Sequence, residues 1–166
     1  TVGSTGSVMP GSYSTPYFAS NCAQDASGNL MFYVVDEKIF DNTGALIGST
    51  TASWRHHAKD ILIIPDPNDC DARLVLTAYV DLLVGPSSGY YHWFLDVTRV
   101  SKTGSTLTVQ PNVFSYTLTG NDNAFISMTI SQPDINGNRR WYLVTSYAAW
   151  QFSISSSGIN YVSNYL

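Results

Sequence analysis

Along this chain the apolar positions fall in short runs of Val, Ile, Leu, Phe, Tyr and Trp, each closed by a cluster of turn-forming residues. The clusters are Ser27-Gly28-Asn29, Asn42-Thr43-Gly44, Pro65-Asp66-Pro67-Asn68, 85–89, Lys102-Thr103-Gly104-Ser105, 120–123 and Asn136-Gly137-Asn138. Gly, Pro, Asn, Asp and Ser gather there because each eases a backbone reversal by its own chemistry. No window holds the i, i+3, i+4, i+7 spacing of an amphipathic helix. The nearest approach, 78–84, is cut by Gly85-Pro86. Every element therefore reads as a strand, since β-branched and aromatic residues suit a pleated surface. The predicted strands are 17–23, 29–35, 38–41 and 45–51, then 59–64, 72–80, 90–101 and 105–117, then 124–131, 139–147, 149–155 and 158–165.

Four strands per group suggest a repeat, and the run Asp25 to Val34 supports it. Shifted by 41 positions it falls on Asp66 to Val75, and by a further 68 on Asp134 to Leu143. Phe32-Tyr33, Leu74-Val75 and Trp141-Tyr142 then occupy one position on a central strand, and Thr77 and Tyr79 match Thr145 and Tyr147. The leading aspartates read as turn formers, because an Asp side chain can accept a backbone N–H two residues on and a following Gly supplies positive φ. A repeated unit of four antiparallel strands is the mark of a propeller blade. The expected architecture is an all-β, propeller-like array of about three four-stranded antiparallel blades, 17–51, 56–117 and 122–166, behind a Gly/Ser-rich arm at 1–15, so that 16–166 is one repeat domain. Three blades are too few to close a ring of four to eight, so the expectation is a partial propeller or one completed by another copy.

Composition narrows the partners. Charged residues make up only 12% of the 166, about half the roughly 25% usual for soluble domains, so the surface is built from Ser, Thr, Asn, Gln and Tyr. A net charge of -4, with no basic cluster beyond Arg139-Arg140, gives no footprint for nucleic acid or an anionic membrane. No apolar run reaches the roughly 20 residues of a spanning helix, and a start at Thr1 without a signal-type segment reads as a processed or partial chain. Cys22 and Cys70 are compatible with one disulfide in an oxidising compartment, or with two buried thiols.

Candidate chemistry is sparse. Glu37 is the one glutamate, so a glycosidase-type pair would have to come from Asp36, Asp41, Asp81 or Asp96. Asp66, Asn68, Asp69 and Asp71 offer alternating oxygens that suggest a Ca²⁺ loop, yet no Gly or closing Glu follows. A turn is the favoured reading, with Ca²⁺ the one cofactor kept in view. His56, His57 and His92 carry metal-type donors, but neighbouring strand residues point to opposite faces, so a hydrogen-bonding role is preferred. Trp54, His56, His57, Tyr90, Tyr91 and His92 together form a candidate ligand groove, as aromatic faces suit carbohydrate. Trp141 matches Phe32 in the repeat and is assigned to the core. No nucleophile elbow, P-loop or dinucleotide fingerprint is present, and no catalytic residue is assigned.

The order of these segments resembles a known family. The run Asp25 to Tyr33 followed by Ile39-Phe40-Asp41-Asn42-Thr43-Gly44, then Ile61 to Pro67, Leu74 to Ala78 and Tyr90-Tyr91, is similar to the β-propeller repeats of secreted and cell-surface proteins of Bacteroidota. The likeness covers about 17–147, and departs from the pattern at the Asp81 to Gly89 loop and at Asp69-Cys70-Asp71. It implies a secreted or cell-surface location. The favoured expectation is a non-catalytic structural or interaction module that self-associates or joins a larger surface assembly. A lectin-like, glycan-binding propeller is the first alternative, and a glycan-active enzyme with an aspartate pair the second.

Overall fold

A computed structural model describes residues 19–50, 58–82, 91–118, 126–145 and 148–165, without the side chains of 58–59, 80–82 and 91–92. Twelve strands form among these residues: β1 Ser20–Gln24, β2 Leu30–Val35, β3 Lys38–Asp41, β4 Leu46–Ser49, β5 Ala58–Asp66, β6 Asp69–Leu82, β7 Tyr91–Thr103, β8 Thr106–Leu118, β9 Ser127–Ile130, β10 Arg139–Val144, β11 Ala149–Ser155 and β12 Gly158–Tyr165. They make three antiparallel meanders, β1-β2-β3-β4, β5-β6-β7-β8 and β9-β10-β11-β12, each pairing strands in chain order. Among the described residues the fold is all-β, with three four-stranded sheets.

The sheets stack face to face, with the central one covered on both sides. On β6, Leu74, Leu76 and Ala78 join Trp93, Leu95 and Val97 of β7 in a core shared with Met128, Trp141, Leu143, Phe152 and Ile154 of the third sheet. The intervening residues Val75 and Tyr79, with Phe94 and Val100, enter a second core with Met31, Phe32, Val34 and Ile39 of the first sheet. Side chains alternate across a strand, so a strand buried on both faces must be apolar at successive positions. That is why 74–79 lacks the polar alternation of β8, whose residues from Thr106 to Tyr116 alternate between half-buried and exposed, with a run of exposed residues at 110–113. On the far face of the first sheet, Tyr33, Val35 and Phe40 form a separate buried cluster, with the Tyr33 and Phe40 rings stacked at 5.1 Å.

Side chains tie the sheets together through their first strands. β1 lies beside β5, and β5 beside β9. Asn21 Nδ2 donates to the Ile61 carbonyl at 2.9 Å, and the Met128 N–H donates to Asp60 Oδ2 at 2.6 Å. Nearer the middle, Thr98 Oγ1 donates to the Thr50 carbonyl at 2.8 Å, and the Thr50 and Tyr79 hydroxyls are hydrogen-bonded to each other. Burial pushes the Tyr79 hydroxyl well above its usual range, so it stays protonated and neutral in this layer.

The turns correct the repeat. Asp25 and Asp134 do make the same turn: the glycine three residues on bonds back to the aspartate carbonyl, and Oδ1 accepts N–H groups two and four residues on at 2.8–2.9 Å. Gly28 and Gly137 hold φ of 81° and 80°, in the region where a Cβ is unfavourable. Asp66 does not make it. Pro67-Asn68 form a two-residue reversal, Asp66 pairs with Asp69 across it, and among the described residues Asp66 Oδ1 accepts the Asn68 N–H alone. The physical reason is the missing glycine, since Asp69 stands where Gly28 stands. Instead, the third copy is Asp41-Asn42-Thr43-Gly44-Ala45, with the same bonds and a Gly44 φ of 88°. The copies at Asp25, Asp66 and Asp134 nevertheless all join the first and second strands of their sheets.

Candidate functional site

In three stacked meanders the hairpins β1–β2, β3–β4, β5–β6, β7–β8, β9–β10 and β11–β12 all leave at one end of the sheets. Arg73 confirms the alignment by reaching from the start of β6 to the Gln24 carbonyl at 3.2 Å. Among the described residues, concavities open at this end in three places. One of about 400 Å³ lies between the first and central sheets, beside Asp41, Asn42 and Lys102. Another, of about 540 Å³, lies on the third sheet between the β9–β10 and β11–β12 turns, and is lined by serines with Arg139 and Arg140. The last, of about 380 Å³, lies between the central and third sheets.

The third groove carries the most ordered charges. Arg99, opposite Leu74 on the face turned to the third sheet, donates from Nε to Asp66 Oδ2 at 2.7 Å and from Nη2 to Asp69 Oδ2 at 2.5 Å. The Asp66 hydrogen bond is the main cause holding the Arg99 pKa above its ordinary value. Asp66 is buried, while the Arg99 and Asp69 side chains are 29% and 35% exposed; Asp66 and Arg99 line the groove and Asp69 stands beside them. Leu74, Val113, Ile154 and Ile159 supply an aliphatic floor. Val113 reaches it because β8 is irregular here: between the pairs Val97–Phe114 and Arg99–Gln110 it carries extra residues, and Asn112 has a φ of 56°. Bulges re-aim side chains in this way and recur beside functional sites.

The guanidinium also bears on the calcium reading. Asp66 and Asp69 each give one oxygen to Arg99, while their Oδ1 atoms accept the Asn68 and Asp71 N–H groups at 2.9 Å. One guanidinium of the chain itself thus already holds one oxygen of each carboxylate, and the cluster keeps a net negative charge. Asp69, Cys70 and Asp71 bring three potential ligand atoms within 4.8 Å, but Asp69 is the one already bound to Arg99.

The disulfide expectation is corrected: Cys22 and Cys70 are separate, exposed thiols. Neither is buried, so the alternative of two core thiols fails as well. Cys22 is paired with Tyr33, and partners directly opposite share a face. Tyr33 lies on the side of the first sheet turned away from the central sheet, where Cys70 resides.

Trp54, His56, His57 and Tyr90 lie outside the described residues, as does the arm 1–15. Tyr91 and His92 start β7, with backbone partners Leu82 and Asp81, but their side chains are likewise outside the description. The flanking strand ends Ser49, Ala58, Leu82 and Tyr91 stand at the end of the sheets opposite the hairpins. Trp141 is a fully buried core residue, 4.8 Å from Phe152 between ring centroids. The candidate acids are dispersed. Asp41 is consumed by its turn, Asp36 sits at the β2–β3 connection where its Oδ1 accepts the Ala19 N–H at 3.3 Å, and Asp96 lies buried in β7 with a hydrogen bond from Ser115 Oγ. Asp81 is in β6, its side chain outside the description.

Arg99 and Val113 were not singled out from sequence. A charge in register with a core-facing Leu was the one available signal for Arg99. Nothing local announced that two aspartates about thirty residues earlier would meet it.

No protein-family model, no curated protein and no solved structure matches this chain.

Proposed function

We propose that the protein is a non-catalytic interaction module of β-propeller type, secreted or displayed at a cell surface, which joins a larger surface assembly. The observation that carries the reading is the succession of three in-order meanders, stacked face to face and tied through their first strands by Asn21 and Asp60. Blades of a propeller stack in this way, with first strands around a shared axis. The sparse charge favours association over electrostatic steering. Three of the acids considered for catalysis, Asp36, Asp41 and Asp96, hold backbone or hydroxyl groups of the fold.

The test has two parts. A crystal or electron-microscopy structure of the whole natural protein is expected to show β1, β5 and β9 facing one axis, with further blades continuing the order. A flat three-layer sandwich with no axis would remove the propeller. Membrane-impermeant biotin applied to intact source cells is expected to label the protein, and labelling only after lysis would remove the surface location.

A further inference from the structure

We propose that the groove between the central and third sheets binds a neutral sugar residue, with Arg99 and Asp66 addressing its hydroxyls, Asp69 holding Arg99 from beside the groove, and Leu74, Val113 and Ile159 meeting its C–H face. The inference rests on the non-catalytic module reading and gives that module a ligand class. At about 380 Å³ the groove falls within the roughly 300–1,000 Å³ span of small-molecule sites. It joins an aliphatic floor to a polar wall, the two surfaces that a pyranose also presents.

The polar wall is built to receive hydroxyl groups. A hydroxyl both donates and accepts, so adjacent hydroxyls need donors and acceptors side by side. Arg99 uses Nε and Nη2 on the two aspartates, leaving Nη1 as a donor among the described residues, and each carboxylate retains acceptor capacity. Two carboxylates hold the guanidinium in place, which lowers the ordering cost of binding. Charge selects among ligands. One cation against two anions leaves the wall net negative, so a uronate or phosphate is repelled and a neutral sugar is not. The β8 irregularity at Pro111-Asn112, which brings Val113 into the groove, accounts for an exposed apolar residue beside the ion pair.

The test is NMR titration of the full chain with neutral disaccharides (cellobiose, mannobiose and xylobiose), alongside digalacturonate and a Lys-Gly-Lys peptide. The expected result is saturable shifts of the Arg99, Val113 and Ile159 amides by at least one neutral disaccharide. Arg99→Lys should weaken this binding about tenfold or more, because Lys cannot reproduce the bidentate fork. Val113→Trp, at a position already 39% exposed, adds bulk to the groove while leaving Arg99, Asp66 and Asp69 unsubstituted, and should abolish binding even if Arg99→Lys fails to fold. No shift by any neutral disaccharide up to ~10 mM, where millimolar binding would show, overturns the proposal. So does binding unchanged in Val113→Trp, or occupation of the groove by digalacturonate or the peptide instead. The same samples are checked for cleavage products. Absence of binding removes the groove alone, whereas binding with cleavage keeps the groove and removes the non-catalytic reading.

Discussion

Asp25, Asp41 and Asp134 each organise a five-residue turn by accepting backbone N–H groups, and this sets how the turns respond to acid. All three carboxyls are held below their usual value of 3.8, foremost by the Asn29 backbone bond for Asp25, the Thr43 hydroxyl for Asp41 and the Asn138 side chain for Asp134. A depressed folded-state pKa contributes stability that is complete above the unfolded value and is lost as pH falls through the folded one. The loss therefore belongs below about pH 3.8, and the sites are open to solvent, so each share is small. Replacing all three by Asn keeps an oxygen acceptor for the turn and removes the titration. Melting temperatures of the triple variant, followed from about pH 6 to pH 2, are expected to fall less steeply below pH 3.8 than those of the natural chain. Parallel curves would show that these carboxylates do not govern the acid limb. The turn was legible as Asp, then Ser, Thr or Asn two residues on, then Gly. Matching whole segments by their apolar tails instead selected Asp66, which lacks the glycine.

At the level of strands, the first and central sheets approach closely where β4 meets β8. A Cβ added to Gly48 would lie 2.9 Å from Val109 Cβ and Cγ1, too near for ordinary contact. Gly48→Ala is therefore expected to destabilise the protein by about 1–3 kcal/mol through overpacking, measured by urea unfolding. Combining it with Val109→Ala should restore part of the loss, with a coupling of about 0.5 kcal/mol or more. Strict additivity would place the strain elsewhere. The strands themselves were readable because both clues operate locally. Alternation and turn chemistry predicted 149–155 and 158–165, which are β11 and β12, and 29–35, close to β2 at Leu30–Val35. What could not be read is set across sheets. Arg99 meets Asp66 and Asp69 through the pairing of β6 with β7, Gly48 is needed because Val109 lies above it, and Cys22 faces away from Cys70 because of its register with Tyr33. The Pro111-Asn112 irregularity was hidden inside a run that reads as one continuous strand, 105–117.

For the molecule as a whole, the central sheet makes the two cores mechanically dependent. Leu74, Leu76 and Ala78 enter one, Val75 and Tyr79 the other, so β6 cannot shift on one face without moving the opposite set. The ties from Thr98 to Thr50 and from Arg73 to Gln24 add polar links to the first sheet, and Asp60 adds one to the third. Phe152 offers the sharpest probe, because it is fully buried in the central–third core and packs against Trp141, Phe114 and Tyr116. Phe152→Ala is expected to cost about 3–5 kcal/mol. The informative quantity is where that loss appears. If the three sheets unfold as one unit, hydrogen exchange of the Phe32 and Val34 amides in the first sheet accelerates in step with the loss of near-ultraviolet circular dichroism from the buried tryptophans, and both urea midpoints fall together. Retained protection in the first sheet, beside an early tryptophan transition, would instead make each sheet a separate folding unit. The shared residues of β6 and β7 favour the first outcome, since a solenoid of independent units would require interfaces that strand alternation does not thread through a common backbone.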